Sequence, residues 1–329
     1  MQYIRFGRTG LQVSKLCLGT MTFGLQSDEA ASFAILDKAA QGGINFIDTA
    51  DVYPLGSTLE LVGRTEEIVG RWLYGKREQF ILATKCGFAM GPLAWQRGAS
   101  RKHVLNAIDA SLRRLGTDYV DLYQVHHPDP DTPVDETLEA FDTVLRSGKA
   151  RYIGCSNYQA WRLARALGRS EAMGLHKFVS VQPRYNLLFR QNERELFPLC
   201  EEEGIAVIPY NPLAGGMLTG KHKRSLAPVE GRFSVGGAAK MYTDRYWHDR
   251  EFDTVDTIVK IAGEAGVAPA TLAVAWVIAN PVITAPIIGA SKPEHVDAGL
   301  AAAELKLDPA CKAKLDELTH EFRMGDALR

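Results

Sequence analysis

Eight short apolar segments recur along this chain, and each is followed by polar residues and then by a helix-like segment. Short runs of this kind, bounded by Gly, Pro, Asn and Asp, are typical of buried strands. The predicted strands cover residues 16–18, 44–47, 80–83, 119–125, 150–153, 178–181, 205–208 and 283–288. Because successive parallel strands need helical crossovers, eight such units predict a (β/α)₈ barrel, with a doubly wound open sheet as the alternative.

The polar residues at the strand ends favour the barrel over the open sheet. In a barrel the C-terminal ends of all strands meet in one ring, whereas in an open sheet only a few of them share a site. Residues 3–6 and 11–13 flank a Gly-Arg-Thr-Gly turn and predict an N-terminal β-hairpin. Extra helices are predicted after the last strand, at 294–303 and 309–322. No change in composition marks a boundary, so we expect residues 1–329 to form one α/β domain.

The segment 214–249 interrupts the alternation of strands and helices. It is rich in glycine and carries the aromatic residues Phe233, Tyr242, Tyr246 and Trp247. Long irregular loops in compact domains are usually functional. We therefore expect this segment to be a lid over the strand ends rather than a linker.

Composition and charge argue against several classes of function. The chain is 46% hydrophobic and 23% charged, with a net charge of −1, so nothing indicates binding to nucleic acid or to a membrane surface. The longest apolar runs are far shorter than the ~20 residues that span a bilayer, and the first ten residues lack the apolar core of a signal peptide. Five scattered cysteines without a CxxC pair indicate a reduced, cytoplasmic protein without a structural metal.

Four polar residues follow three successive predicted strands: Asp48, Tyr53, Lys85 and His126. An ammonium near a tyrosine lowers the pKa of its hydroxyl from the usual ~10, and a carboxylate keeps that ammonium charged. A histidine in reach orients a substrate oxygen or relays a proton. The set suits protonation of a carbonyl oxygen while a hydride arrives at carbon, and a nicotinamide must supply that hydride.

Each of the four residues also has an ordinary structural explanation. A strand-end aspartate often caps a turn, Lys85 fits a solvated charge, and His126 with His127 fits a loop pair. It is much less probable by chance that all four residues follow the C-terminal ends of strands than that one of them does. Their joint arrangement therefore favours the catalytic interpretation.

A second set of residues, after the later strands, has the chemistry of a nucleotide site. Amide and hydroxyl groups at Ser156, Asn157 and Gln182 suit a carboxamide, and Tyr210 offers a flat face to a nicotinamide ring. Turn formation and packing are the alternatives for these residues. The residues expected near phosphates are Gly215, Gly216, Lys221, Ser291 and Lys292, since barrels often bind phosphate after their last strands.

Two nucleotide motifs are excluded. Residues 215–221 read GGMLTGK, but His222 stands where a P-loop needs Ser or Thr for magnesium, and no strong helix pattern follows. No GxGxxG fingerprint follows any predicted strand, so a Rossmann site is not expected either.

The assembled motifs resemble those of aldo-keto reductases. The motifs are LGTMTFG (18–24), INFIDTADVY (44–53), LATK (82–85), LRRLGTDYVDLYQVHHPD (112–129), IGCSN (153–157), VQPRYN (181–186), IPYNPLAGGMLTGK (208–221) and IIGASKPEHV (287–296). The resemblance covers nearly the whole chain. It is strongest to the longer-loop bacterial and plant members, which are also similar to the β subunits of voltage-gated potassium channels.

This resemblance implies a barrel closed at its bottom by the hairpin, with NADPH bound in extended form. It implies Tyr53 as the proton donor, tuned by Lys85 and Asp48, with His126 facing the substrate carbonyl. The implied cofactor contacts are Thr20, Met21, Asp48, Ser156, Asn157, Gln182, Tyr210, Asn211, Leu213, Gly215, Lys221, Arg232, Gly289, Ser291, Lys292 and His295.

Two departures from the family pattern bear on the choice of cofactor. Ala298-Gly299 stand where members often carry Glu-Asn, and His295 stands where Arg or Gln is common. Both changes weaken contacts to the adenine and the 2′-phosphate. Lys292 is the main local argument for NADPH, and NADH is possible.

The expected function is NADPH-dependent reduction of a small aldehyde or ketone. The predicted substrate pocket uses the aromatic residues Phe23, Phe88 and Trp95, together with Tyr53 and His126. The similarity to channel subunits leaves a second possibility, an NADPH-binding regulatory subunit with slow turnover. The substrate and the choice between monomer and homo-oligomer stay open.

Overall fold

The computed structural model describes residues 1–226, 228, 231–234 and 237–325 of the chain. An N-terminal hairpin comes first, formed by β1 (Tyr3–Arg5) and β2 (Gln12–Ser14) paired antiparallel. Its turn requires glycine, because a Cβ on Gly7 would lie 2.6 Å from the carbonyl oxygen of Gly204. The predicted hairpin is confirmed. Its turn packs against the backbone at Gly204.

Eight further strands form one parallel sheet. They are β3 (Cys17–Gly19), β4 (Phe46–Asp48), β5 (Ile81–Cys86), β6 (Val120–Val125), β7 (Ala150–Ser156), β8 (Ser180–Gln182), β9 (Ala206–Val207) and β10 (Ile287–Gly289). Their order in the sheet is β10-β3-β4-β5-β6-β7-β8-β9. Isolated parallel bridges from Val207 to Ile283 and from Tyr210 to Ile287 join the two ends of this order. The sheet thus closes on itself, and the predicted (β/α)₈ barrel is confirmed.

Helices surround the sheet and connect its strands. They are α1 (Glu29–Gln41), α2 (Arg64–Leu73), α3 (Arg101–Leu115), α4 (Val134–Arg146), α5 (Ala160–Ala172), α6 (Leu196–Glu203), α7 (Ala239–Tyr246), α8 (Asp249–Glu264), α9 (Pro269–Ile278), α10 (His295–Glu304) and α11 (Pro309–Leu318). The side chains of Asp28 and Ser100 accept hydrogen bonds from the backbone N–H groups of Ala31 and His103. Both residues are N-caps, and each satisfies a backbone N–H group in the first turn of its helix.

Two hydrophobic cores hold the fold together. The larger one lies between the sheet and the helices, and the smaller one fills the barrel interior. The rings of Phe6 and Phe46 meet edge to face in the interior core, with centroids 5.8 Å apart. The hairpin thereby closes the bottom of the barrel with apolar side chains and leaves the opposite end for polar groups.

The sequence suggested that the segment 214–249 is an irregular loop, but parts of it are regular. It contains 3₁₀ turns at Ala214–Thr219 and Gly231–Phe233 and the helix α7. The stretch that forms α7 has neither Gly nor Pro, buries Tyr242 and Tyr246 one turn apart, and pairs Lys240 with Asp244. Residues 227, 229, 230, 235 and 236 of the predicted lid lie outside the described residues.

Several predicted boundaries are also corrected. In place of the predicted strand 283–288 the structure has β10, which begins four residues later and ends one residue later. β5 and β7 continue into the polar residues that the sequence placed after them. The helix predicted to reach residue 322 ends at Leu318, and a 3₁₀ turn, His320–Met324, follows it. Among the described residues, no single helix is long and apolar enough to span a membrane; α8 and α9 reach that length only as a pair bent by 92°.

Candidate active site

A cavity of about 790 Å³ opens at the C-terminal ends of the barrel strands. Most of the residues predicted from the sequence line it. They are Met21, Asp48, Tyr53, Phe88, His126, Ser156, Asn157, Gln182, Tyr210, Asn211, Leu213, Gly215, Lys221, Arg232, Gly289, Ser291 and His295. The size is that of a small-molecule or cofactor site. The convergence of the strand ends therefore brings these residues to one place.

Five predicted residues do not line the cavity. Lys85 lies beneath its floor, fully buried, and Thr20 is also buried and donates its hydroxyl to the carbonyl oxygen of Asp48 at 3.0 Å. Phe23 belongs to the core outside the barrel, because the turn from Thr20 directs it away from the strand ends. Trp95 is 53% exposed, and Lys292 is exposed. Phe23, Trp95 and Lys292 thus lie off the cavity that most of the other predicted residues line.

The ammonium of Lys85 is the centre of the polar cluster at the cavity floor. It donates to Asp48 Oδ2 at 2.5 Å, to the carbonyl oxygen of Thr49 at 2.8 Å and to the hydroxyl of Tyr53 at 3.4 Å. These three acceptors use all three of its N–H donors. Burial alone would lower the pKa of Lys85, but Coulombic attraction to Asp48 raises it overall. The lysine is therefore charged.

The pKa of the Tyr53 hydroxyl is shifted in the direction opposite to the one that the sequence predicted. Tyr53 is 7% exposed, and burial raises its pKa to about 12, although the charge of Lys85 acts in the opposite direction. The predicted net lowering of this pKa is thus wrong for the chain alone, because desolvation outweighs the lysine. The consequence is a tyrosine that keeps its proton across the physiological range.

His126 completes the cluster from the end of β6. Its ring meets that of Tyr53 edge to face, with centroids 5.8 Å apart, and that of Phe88 at 4.6 Å. Burial, helped by the charge of Lys85, holds the pKa of His126 well below its usual value. A neutral imidazole next to a protonated tyrosine can donate or accept a hydrogen bond but carries no charge at neutral pH.

Sequence reasoning missed Gln124, which is fully buried in the same cluster. Gln124 lies opposite Lys85 in the β5–β6 register, and its Nε2 donates to Asp48 Oδ1 at 3.2 Å. Its Oε1 accepts a hydrogen bond from Gln182 Nε2 at 3.4 Å. An amide inside a predicted buried strand was the available indication, because buried polar groups need partners.

The amide and hydroxyl groups predicted for a carboxamide lie together at the ends of β7 and β8. Gln182 Nε2 donates to Asp48 Oδ1 at 2.9 Å, and Ser156 Oγ donates to the carbonyl oxygen of Gln182 at 2.8 Å. Asn157 has φ +60 and donates to the carbonyl oxygen of His126 at 2.9 Å. The hydroxyl of Tyr210 donates to Asn157 Oδ1 at 2.9 Å. These contacts fix the polar wall before any ligand enters.

The residues predicted near a pyrophosphate form the wall that the lid segment covers. Arg232 Nη1 donates to the hydroxyl of Tyr242 at 3.1 Å and to Met21 Sδ at 3.5 Å, so the lid reaches across to the loop after β3. Gly215 has φ +72, and a Cβ there would lie 2.6 Å from the ring of Tyr242. Only glycine fits this close approach. Together with Lys221, these groups give the wall a cationic character that suits an anionic ligand.

The far end of the cavity is formed by the loop after β10 and the start of α10. Ser291, Glu294, His295 and Ala298 line it, and Ser291 Oγ lies 3.3 Å from His295 Nδ1. Lys292, the residue that most favoured binding of a 2′-phosphate, does not line this end of the cavity. The structural support for NADPH over NADH is therefore weaker than the sequence indicated. Within the described part of the chain, no cluster of three or more His, Cys, Asp and Glu side chains could hold a metal ion.

Comparison with known proteins gives one consistent result. The family model described as "Aldo/keto reductase family" matches residues 15–320. An uncharacterized oxidoreductase, YrpG, of Bacillus subtilis (strain 168) is 40% identical over 97% of this chain and 96% of its own. A probable voltage-gated potassium channel subunit beta of Arabidopsis thaliana is 35% identical over 97% and 96%. The versiconal hemiacetal acetate reductase of Aspergillus parasiticus is 34% identical over 94% of each chain.

Proposed function

The chain belongs to the aldo/keto reductase family and is an oxidoreductase; from this premise we propose that it reduces an aldehyde or ketone with NADPH, Tyr53 donating the proton. Members of this family generally bind NAD(P)H. The single observation that carries the proposal is the contact between the protonated hydroxyl of Tyr53 and the ammonium of Lys85 at the cavity floor. The substrate is a small carbonyl compound.

The roles of the polar groups follow from their charges. Tyr53 keeps its proton in the resting chain and gives it to the carbonyl oxygen as the carbon is reduced. The phenolate left behind is stabilised by Lys85, whose own charge is held by Asp48. The neutral ring of His126 orients the carbonyl oxygen from the other side. Tyr53 then regains a proton from solvent.

A nicotinamide nucleotide supplies the hydride when it is bound, and the cavity has the groups to hold one. We assign the amides of Asn157 and Gln182 and the hydroxyl of Ser156 to the carboxamide, and the ring of Tyr210 to stacking. Lys221 and Arg232 would hold the pyrophosphate, with Gly215 giving the space for close approach. NADPH is the first choice and NADH the alternative, since Lys292 is exposed off the cavity.

The variant Tyr53→Phe tests the assignment. It should abolish carbonyl reduction and leave nucleotide binding intact, because the phenol ring stays and only the proton donor goes. Tyr74→Phe, at a tyrosine that is 92% exposed, is the control and should turn over normally. Unchanged turnover of Tyr53→Phe would reject Tyr53 as the donor. Titration with NADPH and then NADH, followed by protein fluorescence, would establish the cofactor preference.

A second candidate function rests on the similarity to potassium channel β subunits. The chain would then bind nucleotide tightly, turn over slowly and act as a regulatory partner. Tight NADPH binding with negligible turnover on a broad panel of carbonyl compounds would favour this role. The complete set of Asp48, Tyr53, Lys85 and His126 around one cavity supports the enzyme instead.

A further inference from the structure

A hydrogen-bonded cluster lies behind the cavity wall that the lid segment covers. It consists of Asn186, from the segment after β8, Asn211, from the segment after β9, and Tyr246, the last residue of α7. Asn211 lines the cavity, whereas Asn186 and Tyr246 do not. The cluster therefore joins three separate parts of the chain at one point of the wall.

The hydroxyl of Tyr246 is the centre of this cluster. It accepts hydrogen bonds from Asn211 Nδ2 at 2.9 Å and from Asn186 Nδ2 at 3.0 Å. Tyr246 is 1% exposed, and burial raises the pKa of its hydroxyl to about 12, so the group is neutral at physiological pH. Removing a buried acceptor that serves two donors is costly, because water cannot take its place.

Asn186 fixes the cluster to the segment that follows β8. Its side chain is fully buried, and its Nδ2 also donates to the carbonyl oxygen of Asn211 at 3.0 Å. Its Oδ1 accepts a hydrogen bond of 2.9 Å from the N–H of Leu188. The side chain of Asn186 is thus held at both ends, and it provides a rigid support for the other two residues.

Asn211 connects the cluster to the glycine-containing turn of the cavity wall. Its φ is +66, in the left-handed region that asparagine adopts more readily than most residues. Its Oδ1 accepts a hydrogen bond of 2.6 Å from the N–H of Gly215, and its carbonyl oxygen accepts one of 3.0 Å from the N–H of Ala214. Ala214 also has a positive φ, +50, which is unfavourable for a residue with a Cβ. The side chain of Asn211 therefore stabilises a turn that the backbone alone does not favour.

The orientation of the Asn211 side chain depends in turn on Tyr246. Asn211 is only half-buried, so without the Tyr246 hydroxyl its amide can rotate towards the open cavity. Its Oδ1 would then leave the N–H of Gly215, and the turn would lose a contact that fixes it. A loop that must be ordered when a ligand binds lowers the affinity, whereas a loop that is already fixed does not.

We propose that Tyr246 is a positioning residue for the nucleotide: it holds Asn211, and Asn211 holds the turn at Gly215 against which the pyrophosphate binds. This role rests on the proposed function, because it concerns the nucleotide of that site. Tyr246 does not line the cavity, so it acts on nucleotide binding and not on the transfer of the hydride or the proton.

The variant Tyr246→Phe tests this role, because it removes the hydroxyl and keeps the ring. Calorimetric titration of the full chain with NADPH, and separately with NADH, should show binding that is weaker by roughly tenfold. Stopped-flow fluorescence should show faster release of the nucleotide. The rate of a single turnover at saturating nucleotide should stay that of the wild type.

Tyr185→Phe is the matched control. Tyr185 is also fully buried, and its hydroxyl also has two partners, since it donates to Glu193 Oε1 at 2.7 Å and accepts from Asn280 Nδ2 at 3.0 Å. It does not line the cavity. Both variants should therefore melt at a lower temperature than the wild type, but Tyr185→Phe should bind nucleotide normally.

A double-mutant cycle with Asn211→Gly separates positioning from a general loss of stability. Glycine adopts a positive φ readily, so this variant removes the side chain and permits the turn. If Tyr246 acts through Asn211, adding Tyr246→Phe to Asn211→Gly should change the nucleotide Kd by less than about twofold.

Two results would overturn the role of Tyr246. One is nucleotide binding by Tyr246→Phe as tight as that by Tyr185→Phe, and the other is an effect of Tyr246→Phe that is equally large with and without the Asn211 side chain. A wild-type chain that binds neither NADPH nor NADH would instead reject the proposed function, and the role of Tyr246 with it.

Discussion

Lys85 Nζ lies 2.5 Å from Asp48 Oδ2, and the two side chains are only 0% and 3% exposed. In a buried ion pair of this kind each charge has lost its hydrating water, so each depends on the close placement of the other. Three hydrogen-bond acceptors surround the ammonium, and two amides donate to the other oxygen of the carboxylate. The pair is therefore both a structural element of the barrel floor and the source of the charge next to Tyr53.

Asp48→Asn should destabilise the chain strongly at neutral pH. The substitution leaves the Lys85 charge buried without its counter-ion, which typically costs about 3–5 kcal/mol. The pKa of Lys85 is higher in the folded chain than in the unfolded chain. The contribution of Lys85 to the free energy of unfolding is therefore complete below its unfolded pKa of ~10.4, and it is lost as pH rises through its folded pKa. Urea unfolding at pH 7 measures the difference. Asp48→Asn/Lys85→Met is the control and should recover part of it, and an unchanged midpoint for Asp48→Asn would contradict the argument.

Tyr53 should remain protonated far above neutral pH in the chain without nucleotide. Burial raises its pKa to about 12, so the phenolate forms only in strong alkali. With ¹³C-labelled tyrosine, the Cζ resonance assigned through Tyr53→Phe should keep the phenol position up to about pH 10, near the unperturbed value. A phenolate resonance near pH 8 would show that Lys85 outweighs burial, which was the expectation from the sequence.

His126 should make the chain less stable in mild acid. Its pKa is held well below the usual value by burial, so below about pH 6.5 the unfolded chain binds a proton that the folded chain does not. Stability is then lost as pH falls, by at most about 1.4 kcal/mol per pH unit for one proton. The free energy of unfolding of His126→Gln, measured by urea from pH 7 to pH 5, should fall less steeply than that of the wild type. The exposed His248→Gln is the control and should follow the wild-type slope.

Sequence periodicity was sufficient for the architecture because each strand and helix has a local signature. Apolar runs placed the eight strands. Strand ends in a closed barrel must converge, so the argument also placed Asp48, Tyr53 and His126 at one cavity. None of this required knowledge of where the side chains point.

Side-chain direction and burial are what the sequence could not provide. Phe23 packs in the outer core, although it follows a strand end, in a turn where its N–H donates to the carbonyl oxygen of Thr20. Lys292 is one residue from Ser291 and yet lies off the cavity. The pKa of Tyr53 depends on desolvation, which has no sequence signature. Gln124 faces Lys85 only because of the β5–β6 register.

Gln124→Leu should reduce catalysis without unfolding the chain. Gln124 joins the carboxylate of Asp48 to the amide of Gln182, so its loss loosens the proton-donor cluster and the cofactor wall together. A hydrogen bond to a charged group contributes about 1.5–3 kcal/mol, which corresponds to a roughly 10- to 160-fold lower kcat/KM. Leucine keeps most of the side-chain volume, so the variant should still fold, with a lower melting temperature because a buried hydrogen bond to a charged group is lost. Tyr123→Phe is the matched control on the same strand, since the Tyr123 hydroxyl donates to the carbonyl oxygen of Val104, away from the cavity. A kcat/KM equal to that of Tyr123→Phe would show that Gln124 only fills space.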